Sequence, residues 1–148
     1  MVYIGIYIIT MANYSMIFTK HDVEPHEAEI HEKIYNMNIV NIPKIYSYDK
    51  DTKTLVMERI PNFCVSDMYG EKLSNVPDYI VVDIREILRK LYDSGIEYTD
   101  ITGYNFIEYD DRVWIIDFEH AKIKNKNTIH SFMYDFIKGC NNWNPDFN

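Results

Sequence analysis

Residues 98–121, which read YTDITGYNFIEYDDRVWIIDFEHA, decide the fold of this chain. The stretch places Asp100 five residues before Asn105 and puts Asp117 directly after the apolar run VWII. If the chain between them folds back as a hairpin, the loop with Asp100 and Asn105 lies beside the end of the strand that leads to Asp117. Phosphoryl transfer needs such a set, because one carboxylate orients a hydroxyl while an amide oxygen and a second carboxylate hold Mg²⁺. The stretch therefore predicts a phosphoryl-transfer site.

The composition of the whole chain indicates one globular domain over residues 1–148. The chain is 47% hydrophobic and 26% charged, with five glycines and five prolines, so it is neither disordered nor fibrous. The formal net charge is −8, from 15 basic and 23 acidic residues. Such an acidic balance argues against general attraction to nucleic acid or to an anionic membrane.

Cysteine content and the amino-terminal segment suggest where the protein acts. Cys64 and Cys140 are too few and too far apart for a disulfide framework, which favours a reducing, intracellular (cytoplasmic) location. The apolar run at 2–9 has eight residues and no basic segment before it, so we expect a strand there and neither a signal peptide nor a membrane span. Met11 is an alternative start. The high content of Ile, Asn, Lys and Tyr suggests an AT-rich genome, such as that of a large DNA virus or a parasite.

The segments around the decisive stretch alternate between strand and helix patterns. Apolar residues at helical spacing predict helices over 25–37 and 78–94, and Gly95 follows the second one as a carboxyl-terminal cap. The motif HEAEIH at 26–31 has its histidines five apart, which does not suit zinc, so we interpret it as solvated helix. The remaining predictions are strands at 2–9, 14–20, 44–48, 54–58, 105–109 and 112–116, a solvated basic loop at 122–127 and a helix near 129–138.

The decisive stretch resembles two motifs of the protein-kinase-like superfamily. Asp100 and Asn105 match its D-x-x-x-x-N catalytic loop, and Asp117-Phe118-Glu119 matches its D-F-G metal motif. The sequence DITGYN at 100–105 is similar to the D-L-T-T-S-N form of the kinase subunit of the KEOPS tRNA-modification complex. IDFEHA resembles choline kinases and other small-molecule phosphotransferases such as aminoglycoside kinases.

This resemblance, which covers residues 14–121, implies a fold. We expect an α+β, minimal two-lobed kinase-like fold, with a small β-rich amino-terminal lobe at about 1–58 and a truncated helical carboxyl-terminal lobe at about 62–148. In such kinases a lysine strand, a glutamate helix, a strand entering the adenine hinge and a long helix precede the catalytic loop, and the chain offers each of these in turn.

The resemblance also implies catalytic and metal-binding roles, with ATP and Mg²⁺ as cofactors. Asp100 would be the catalytic residue that orients the acceptor hydroxyl, while Asn105 and Asp117 would bind the metal. Lys20 would contact the α and β phosphates, and Glu27 would pair with it; Glu29 is the alternative partner.

The strand LVME at 55–58 is similar to the segment that enters the adenine-binding hinge of these kinases. By that resemblance Met57 would be the gatekeeper. Backbone groups from Glu58 to Ile60 would contact adenine.

Several features depart from the superfamily pattern. The chain has no G-x-G-x-x-G loop to cover the phosphates, since Gly5 is the only glycine before Gly70. Tyr98-Thr99 stands where His-Arg usually precedes the catalytic aspartate, and Glu119 replaces the glycine of the metal motif. Only 31 residues follow Asp117, and they hold no A-P-E segment.

Two classes of function follow from these observations. The first is an ATP- and Mg²⁺-dependent phosphotransferase whose hydroxyl acceptor is a Ser/Thr side chain of a protein or, alternatively, a small alcohol. The second is a catalytically weak kinase mimic that acts as a protein-binding module on a host or partner protein. The missing glycine-rich loop and the short second lobe favour the second class, whereas the retention of Asp100, Asn105 and Asp117 favours the first.

Overall fold

A three-stranded antiparallel sheet forms the first part of the described chain. The structure is a computed structural model, and it describes residues 16–125, 127 and 131–147. The sheet consists of β1 (Ile17–Lys20), β2 (Ile45–Asp49) and β3 (Thr54–Glu58), in the order β1-β3-β2. Asp49 closes the β2–β3 hairpin, because its Oδ1 accepts the N–H groups of Asp51 and Thr52 at 2.9 and 3.2 Å. The predicted hairpin is confirmed, with its first strand one residue later, whereas the strand predicted at 2–9 lies outside the described residues.

Helix α1 (Pro25–Met37) packs beside this sheet with the bounds that the sequence predicts. Proline suits the first turn of a helix because its φ is preset and its missing N–H has no partner there in any case. Asn38 ends the helix in the left-handed conformation, with φ of 55°. The buried face includes Ile30 and Ile34, which recur at helical spacing.

The second part of the molecule is mainly helical. Its longest element is α3 (Asp78–Asp93), which buries Ile80, Ile84, Ile87, Leu88 and Leu91 along one side. Gly95 follows it with φ of 84°, a conformation that glycine adopts without steric cost. The other helices are α2 (Val65–Tyr69), α4 (Phe132–Ile137) and two short 3₁₀ turns at Leu73–Asn75 and Pro145–Phe147.

Two small β-ribbons lie within and at the ends of residues 98–121. Strands β5 (Phe106–Tyr109) and β6 (Arg112–Ile115) pair around Asp110 and Asp111, both of which have φ above 50° as a tight hairpin turn requires. Strand β4 (Ile96–Glu97) pairs with β7 (Lys122–Ile123). The prediction of a solvated loop over 122–127 is therefore wrong for its first two residues. A two-residue strand is too short to show periodicity, so the pairing had no signal in the sequence.

The core confirms the predicted two-part α+β arrangement. The larger hydrophobic cluster lies in the helical part and includes Leu88, Phe106 and Phe118, while a smaller one under the sheet includes Leu55 and Met57. Within residues 16–125, 127 and 131–147, no helix is both long enough and apolar enough to cross a membrane.

Candidate active site

A cleft of about 360 Å³ lies between the sheet and the helical part. One wall comes from β1, β3 and the segment after β3, and the other from the loop before β5 and from the end of β6. The predicted site residues on these walls are Lys20, Met57, Glu58, Ile60, Asn105 and Asp117. Residues that are far apart in sequence therefore meet at one cleft.

Lys20 connects the two parts of the molecule across this cleft. Its ammonium nitrogen lies 2.7 Å from Oε2 of Glu27 and 3.5 Å from Oδ1 of Asp117. The Glu27 side chain is only 5% exposed, because α1 presents it inward on the face that carries Ile30 and Ile34. Glu29 lies two positions further along the helix and is exposed. The structure thus brings Glu27, and not Glu29, to the lysine.

Burial and charge act in opposite directions on this pair. Burial alone would lower the pKa of Lys20, but the hydrogen bond to Glu27 and the Asp117 charge raise that pKa overall. Burial raises the pKa of Glu27, and the Lys20 ammonium offsets only part of this effect. Lys20 therefore stays a cation at the cleft wall, where anionic groups of a ligand would meet it.

The loop with Asp100 is held by its own asparagine. Asn105 is 6% exposed, and its side-chain Nδ2 donates to the backbone carbonyl of Asp100 at 2.9 Å. Asp100 is half-buried, and burial raises the pKa of its carboxyl, with Asn105 opposing the change and Asp117 adding to it. A carboxylate whose pKa is raised accepts a proton more readily, which suits a group that orients a hydroxyl.

The same loop is seated tightly against its neighbours. Gly103 accepts a hydrogen bond from the Ser66 N–H at 2.9 Å. A Cβ atom at position 103 would lie 2.2 Å from the Ser66 hydroxyl oxygen and 3.1 Å from Cζ2 of Trp143. Only glycine therefore lets the loop approach α2 and the carboxyl-terminal segment this closely.

Asp117 has the left-handed φ of 65°, and its Oδ1 accepts the Glu119 N–H at 3.3 Å. Phe118 beside it is fully buried, with its ring 4.9 Å from that of His31 and 5.7 Å from that of Tyr98. His31 is 1% exposed. The interpretation of HEAEIH as solvated helix is therefore wrong for four of its six residues, since Glu27, Ala28, Ile30 and His31 are all buried. The His31 ring lies against Phe118, a contact that no local pattern reveals.

The oxygen donors at this end of the cleft suit a divalent cation. Carboxylate oxygens of Glu27, Asp117 and Glu119 all lie within 4.8 Å of one another, and Asn105 adds an amide on the cleft wall. Hard oxygen ligands of this kind are the ones that Mg²⁺ prefers. Glu119 was predicted only as a replacement for the motif glycine, so its place among the donors is a finding of the structure.

The predicted hinge lies on the opposite wall. Its N–H groups are partly in use, because Glu58 donates to the Lys44 carbonyl at 2.8 Å and Arg59 donates to the Met16 carbonyl at 2.7 Å. The Ile60 N–H makes no hydrogen bond to any residue that the structure describes. Of the three residues from Glu58 to Ile60, the last therefore offers the free backbone donor to a ligand base.

Two of the known proteins similar to this chain are named as kinases, and a third is named as a subunit of a complex. A 3-deoxy-D-manno-octulosonic acid kinase of Vibrio parahaemolyticus is 32% identical over 101 residues, which are 60% of this chain and 41% of the relative. A probable serine/threonine-protein kinase BUD32 homolog of Archaeoglobus fulgidus is 27% identical, over 69% of this chain and 51% of the relative. The EKC/KEOPS complex subunit BUD32 of Enterocytozoon bieneusi is 27% identical, over 64% and 51%. The chain spans about half the length of these relatives.

A family model covers most of the chain. The model of the RIO domain matches residues 13–142, a range that takes in the lysine strand, the glutamate helix, the catalytic loop and the metal motif. This match and the relatives confirm the resemblance drawn from the sequence. The chain belongs to the RIO-domain family, within the protein-kinase-like superfamily.

Proposed function

We propose that this protein is an ATP- and Mg²⁺-dependent phosphotransferase that transfers the γ-phosphate of ATP to a hydroxyl group. One observation carries the proposal: Lys20 contacts both Glu27, at 2.7 Å, and Asp117, which is 97 residues away in sequence, at 3.5 Å. A cation held at that place by two carboxylates suits the binding of nucleotide phosphates. We also propose that the chain forms a single domain with lobes at about 1–58 and 62–148.

Metal and phosphate binding are assigned to four residues. Asn105 and Asp117 would hold Mg²⁺, which would neutralise charge on the nucleotide phosphates. Lys20 would contact the α and β phosphates, and Glu27 would keep the ammonium aimed at them. The raised pKa of Lys20 supports this role, because the side chain stays charged.

Asp100 would act on the acceptor. Its carboxylate accepts a hydrogen bond from the acceptor hydroxyl and orients the oxygen toward the γ-phosphorus. A bond forms between that oxygen and phosphorus, the bond from phosphorus to the bridging oxygen of ADP breaks, and the hydroxyl proton passes to Asp100. ADP and the phosphorylated acceptor are the products.

The adenine would lie against the wall formed by β3 and the segment after it. Met57 and Ile60 are buried apolar residues on that wall, and the Ile60 N–H, which has no partner among the described residues, would donate to a ring nitrogen. Glu58 completes the predicted contact set.

For the acceptor we propose a Ser/Thr side chain of a protein, in line with the name of the Archaeoglobus relative, with a small alcohol as the alternative suggested by the sugar-acid kinase. A partner protein is a further part of this proposal, since one relative is named as a subunit of a complex. Transfer of labelled phosphate to a protein, against transfer to a sugar acid, separates the two acceptor classes.

The experiment that tests the site is a thermal-shift titration with ATP and Mg²⁺. Binding at 100 times Kd adds about 2.7 kcal/mol to the free energy of unfolding, which is roughly 5–10 °C for a domain of this size. We expect this Mg²⁺-dependent shift in the wild type and its loss in Asp117→Asn. Asp111→Asn is the matched control, because Asp111 has a similar φ of 57° and lies in the exposed β5–β6 turn, outside the cleft.

Release of ADP is the second readout. Asp117→Asn should slow it by about 10²-fold or more, as for removal of one electrostatic contact to a transition state, and Asp111→Asn should not. If the wild type shows neither a shift nor turnover at millimolar ATP, the phosphotransferase proposal fails. The protein-binding module then becomes the better hypothesis.

A further inference from the structure

Asn144 is bonded to the chain on both sides of Asp100. Its backbone N–H donates to the carbonyl of Ile101 at 2.9 Å. Its side-chain Nδ2 donates to the carbonyl of Thr99 at 2.7 Å. One residue of the carboxyl-terminal segment therefore holds the two carbonyls that flank the aspartate, and it is separated from them by more than 40 residues of sequence.

Asn144 is itself fixed in place. It is 3% exposed, and its Oδ1 accepts the Asp146 N–H at 3.1 Å while its carbonyl accepts the Phe147 N–H at 3.2 Å. Both of its backbone groups and both polar atoms of its side chain are thus in use. Trp143 beside it is 4% exposed and stacks on Phe136, with ring centroids 5.9 Å apart and planes 10° from parallel. The donor to the Thr99 carbonyl therefore has a single orientation.

The carbonyl of Asp100 is held as well. It accepts a hydrogen bond from Nδ2 of Asn105 at 2.9 Å and one from the Thr102 N–H at 3.1 Å. Three consecutive carbonyls are therefore bonded, the outer two to Asn144. The backbone of Asp100 cannot rotate without breaking at least one of these bonds.

We infer that Asn144 is a positioning residue for Asp100, which makes the carboxyl-terminal segment a working part of the phosphotransferase site. The inference rests on the proposed function. It goes beyond that function because the sequence motifs end at Glu119 and assign nothing to this segment. Since a misplacement of about 1 Å can slow an enzyme by about 10²-fold, loss of the Asn144 side chain should act on turnover and not on nucleotide binding.

The test compares Asn144→Ala with Asn142→Ala in the full chain. Asn142 is exposed and lies two residues away, so it controls for any change in this segment. We expect Asn144→Ala to lower kcat for ADP release by about 10–100-fold with the KM for ATP changed less than about twofold. A merely structural role would lower ATP binding and turnover together. That result, or an unchanged kcat, overturns the inference.

A second readout does not depend on activity. Hydrogen exchange of the Ile101 and Thr102 amides, both bonded within the loop, reports on how firmly the loop is held. We expect exchange at least about tenfold faster in Asn144→Ala, with the Ile84 amide of α3 unchanged as a probe of global stability. If the Ile101 and Thr102 amides exchange at the same rate in Asn144→Ala and in the control Asn142→Ala, the inference is overturned.

Two further choices distinguish failure of the inference from a folding defect of the variant and from failure of the proposed function. If Asn144→Ala does not melt cooperatively, Asn144→Ser replaces it in the same comparison, because the serine hydroxyl is one bond shorter than the asparagine side chain and withdraws the donor from the Thr99 carbonyl while keeping a polar group. If the wild type does not turn over ATP, the proposed function fails and the exchange measurement alone decides whether Asn144 holds the loop. Faster exchange keeps that assignment, and unchanged exchange removes it.

Discussion

Two lysine–glutamate pairs in this molecule have the same nitrogen–oxygen distance and very different surroundings. Lys20–Glu27 and Lys53–Glu24 both measure 2.7 Å. In the first pair the side chains are 28% and 5% exposed, and in the second they are 47% and 66% exposed. Water screens an exposed pair, whereas a buried carboxylate depends on its partner. Distance alone therefore does not tell which pair matters to the protein.

The largest effect is expected when the cleft lysine is removed. Lys20→Met leaves Glu27 buried without its cation, which should lower the free energy of unfolding by about 2–3 kcal/mol. This loss is smaller than is usual for a fully buried pair, because Lys20 is in contact with water in the wild type. The same variant should lose most ATP turnover, because it removes the ammonium group that would contact the α and β phosphates. Urea unfolding and ADP release measure the two effects.

A double variant separates charge from function. Lys20→Met combined with Glu27→Gln removes the unpaired charge, so we expect most of the stability to return while turnover stays low. Stability that remains as low as in the single variant would contradict the view that the buried carboxylate causes the loss.

The contrast between the pairs also shows what the sequence could predict. Helical periodicity predicted the bounds of α1, and the resemblance to kinases implied Glu27 as the partner of Lys20, with Glu29 as the alternative. The choice between Glu27 and Glu29 required the packing of α1 against the cleft, and so did the contact of His31 with Phe118. Such contacts join residues that no local pattern relates.

Other elements lacked a signal for a simpler reason. Helix α2 has five residues, which is little more than one turn, and β4 and β7 have two residues each. Patterns this short cannot be distinguished from loops. Within the site, the motif residues were predictable, but Asn144 was not, because its role consists of two hydrogen bonds to backbone carbonyls.

A smaller effect is expected at a buried histidine on the same helix. Burial lowers the pKa of His31, whose Nε2 donates to the Pro43 carbonyl at 2.7 Å. The folded protein then binds the proton less readily than the unfolded chain, whose histidine pKa is about 6.5. Its stabilising contribution is complete above about pH 6.5 and decreases as the pH falls, by at most about 1.4 kcal/mol per pH unit.

Unfolding measured between pH 5 and 8 checks this dependence. His31→Gln keeps a donor for the Pro43 carbonyl and does not titrate, so its stability should fall less steeply below pH 6.5 than that of the wild type. His21→Gln, at an exposed position, is the matched control. If the free energy of unfolding of His31→Gln falls with pH as steeply as that of the wild type, His31 is not the source of this pH dependence.

The smallest effect is expected at the exposed pair. Lys53→Met should leave the free energy of unfolding and the turnover of ATP unchanged within experimental error, at low salt and at 1 M NaCl alike. Chemical denaturation at the two salt concentrations measures this. A loss comparable to that of Lys20→Met would show that burial is not the property that separates the two pairs.

The short pairing of β4 with β7 has a consequence for how the site opens. It joins Ile96 to Ile123 and Glu97 to Lys122, so residues 98–121 form one closed loop whose base is two residue pairs wide. The catalytic loop, the β5–β6 hairpin and the metal motif all lie within this loop. Closing the loop at its base lowers the chain entropy of these residues, and the bonds of Ser66 to Gly103 and of Asn144 to Thr99 hold the loop at further points. Because Phe106 and Phe118 belong to the larger hydrophobic cluster, we expect the loop that carries Asp100 and Asp117 to unfold together with the helical part, as one cooperative unit.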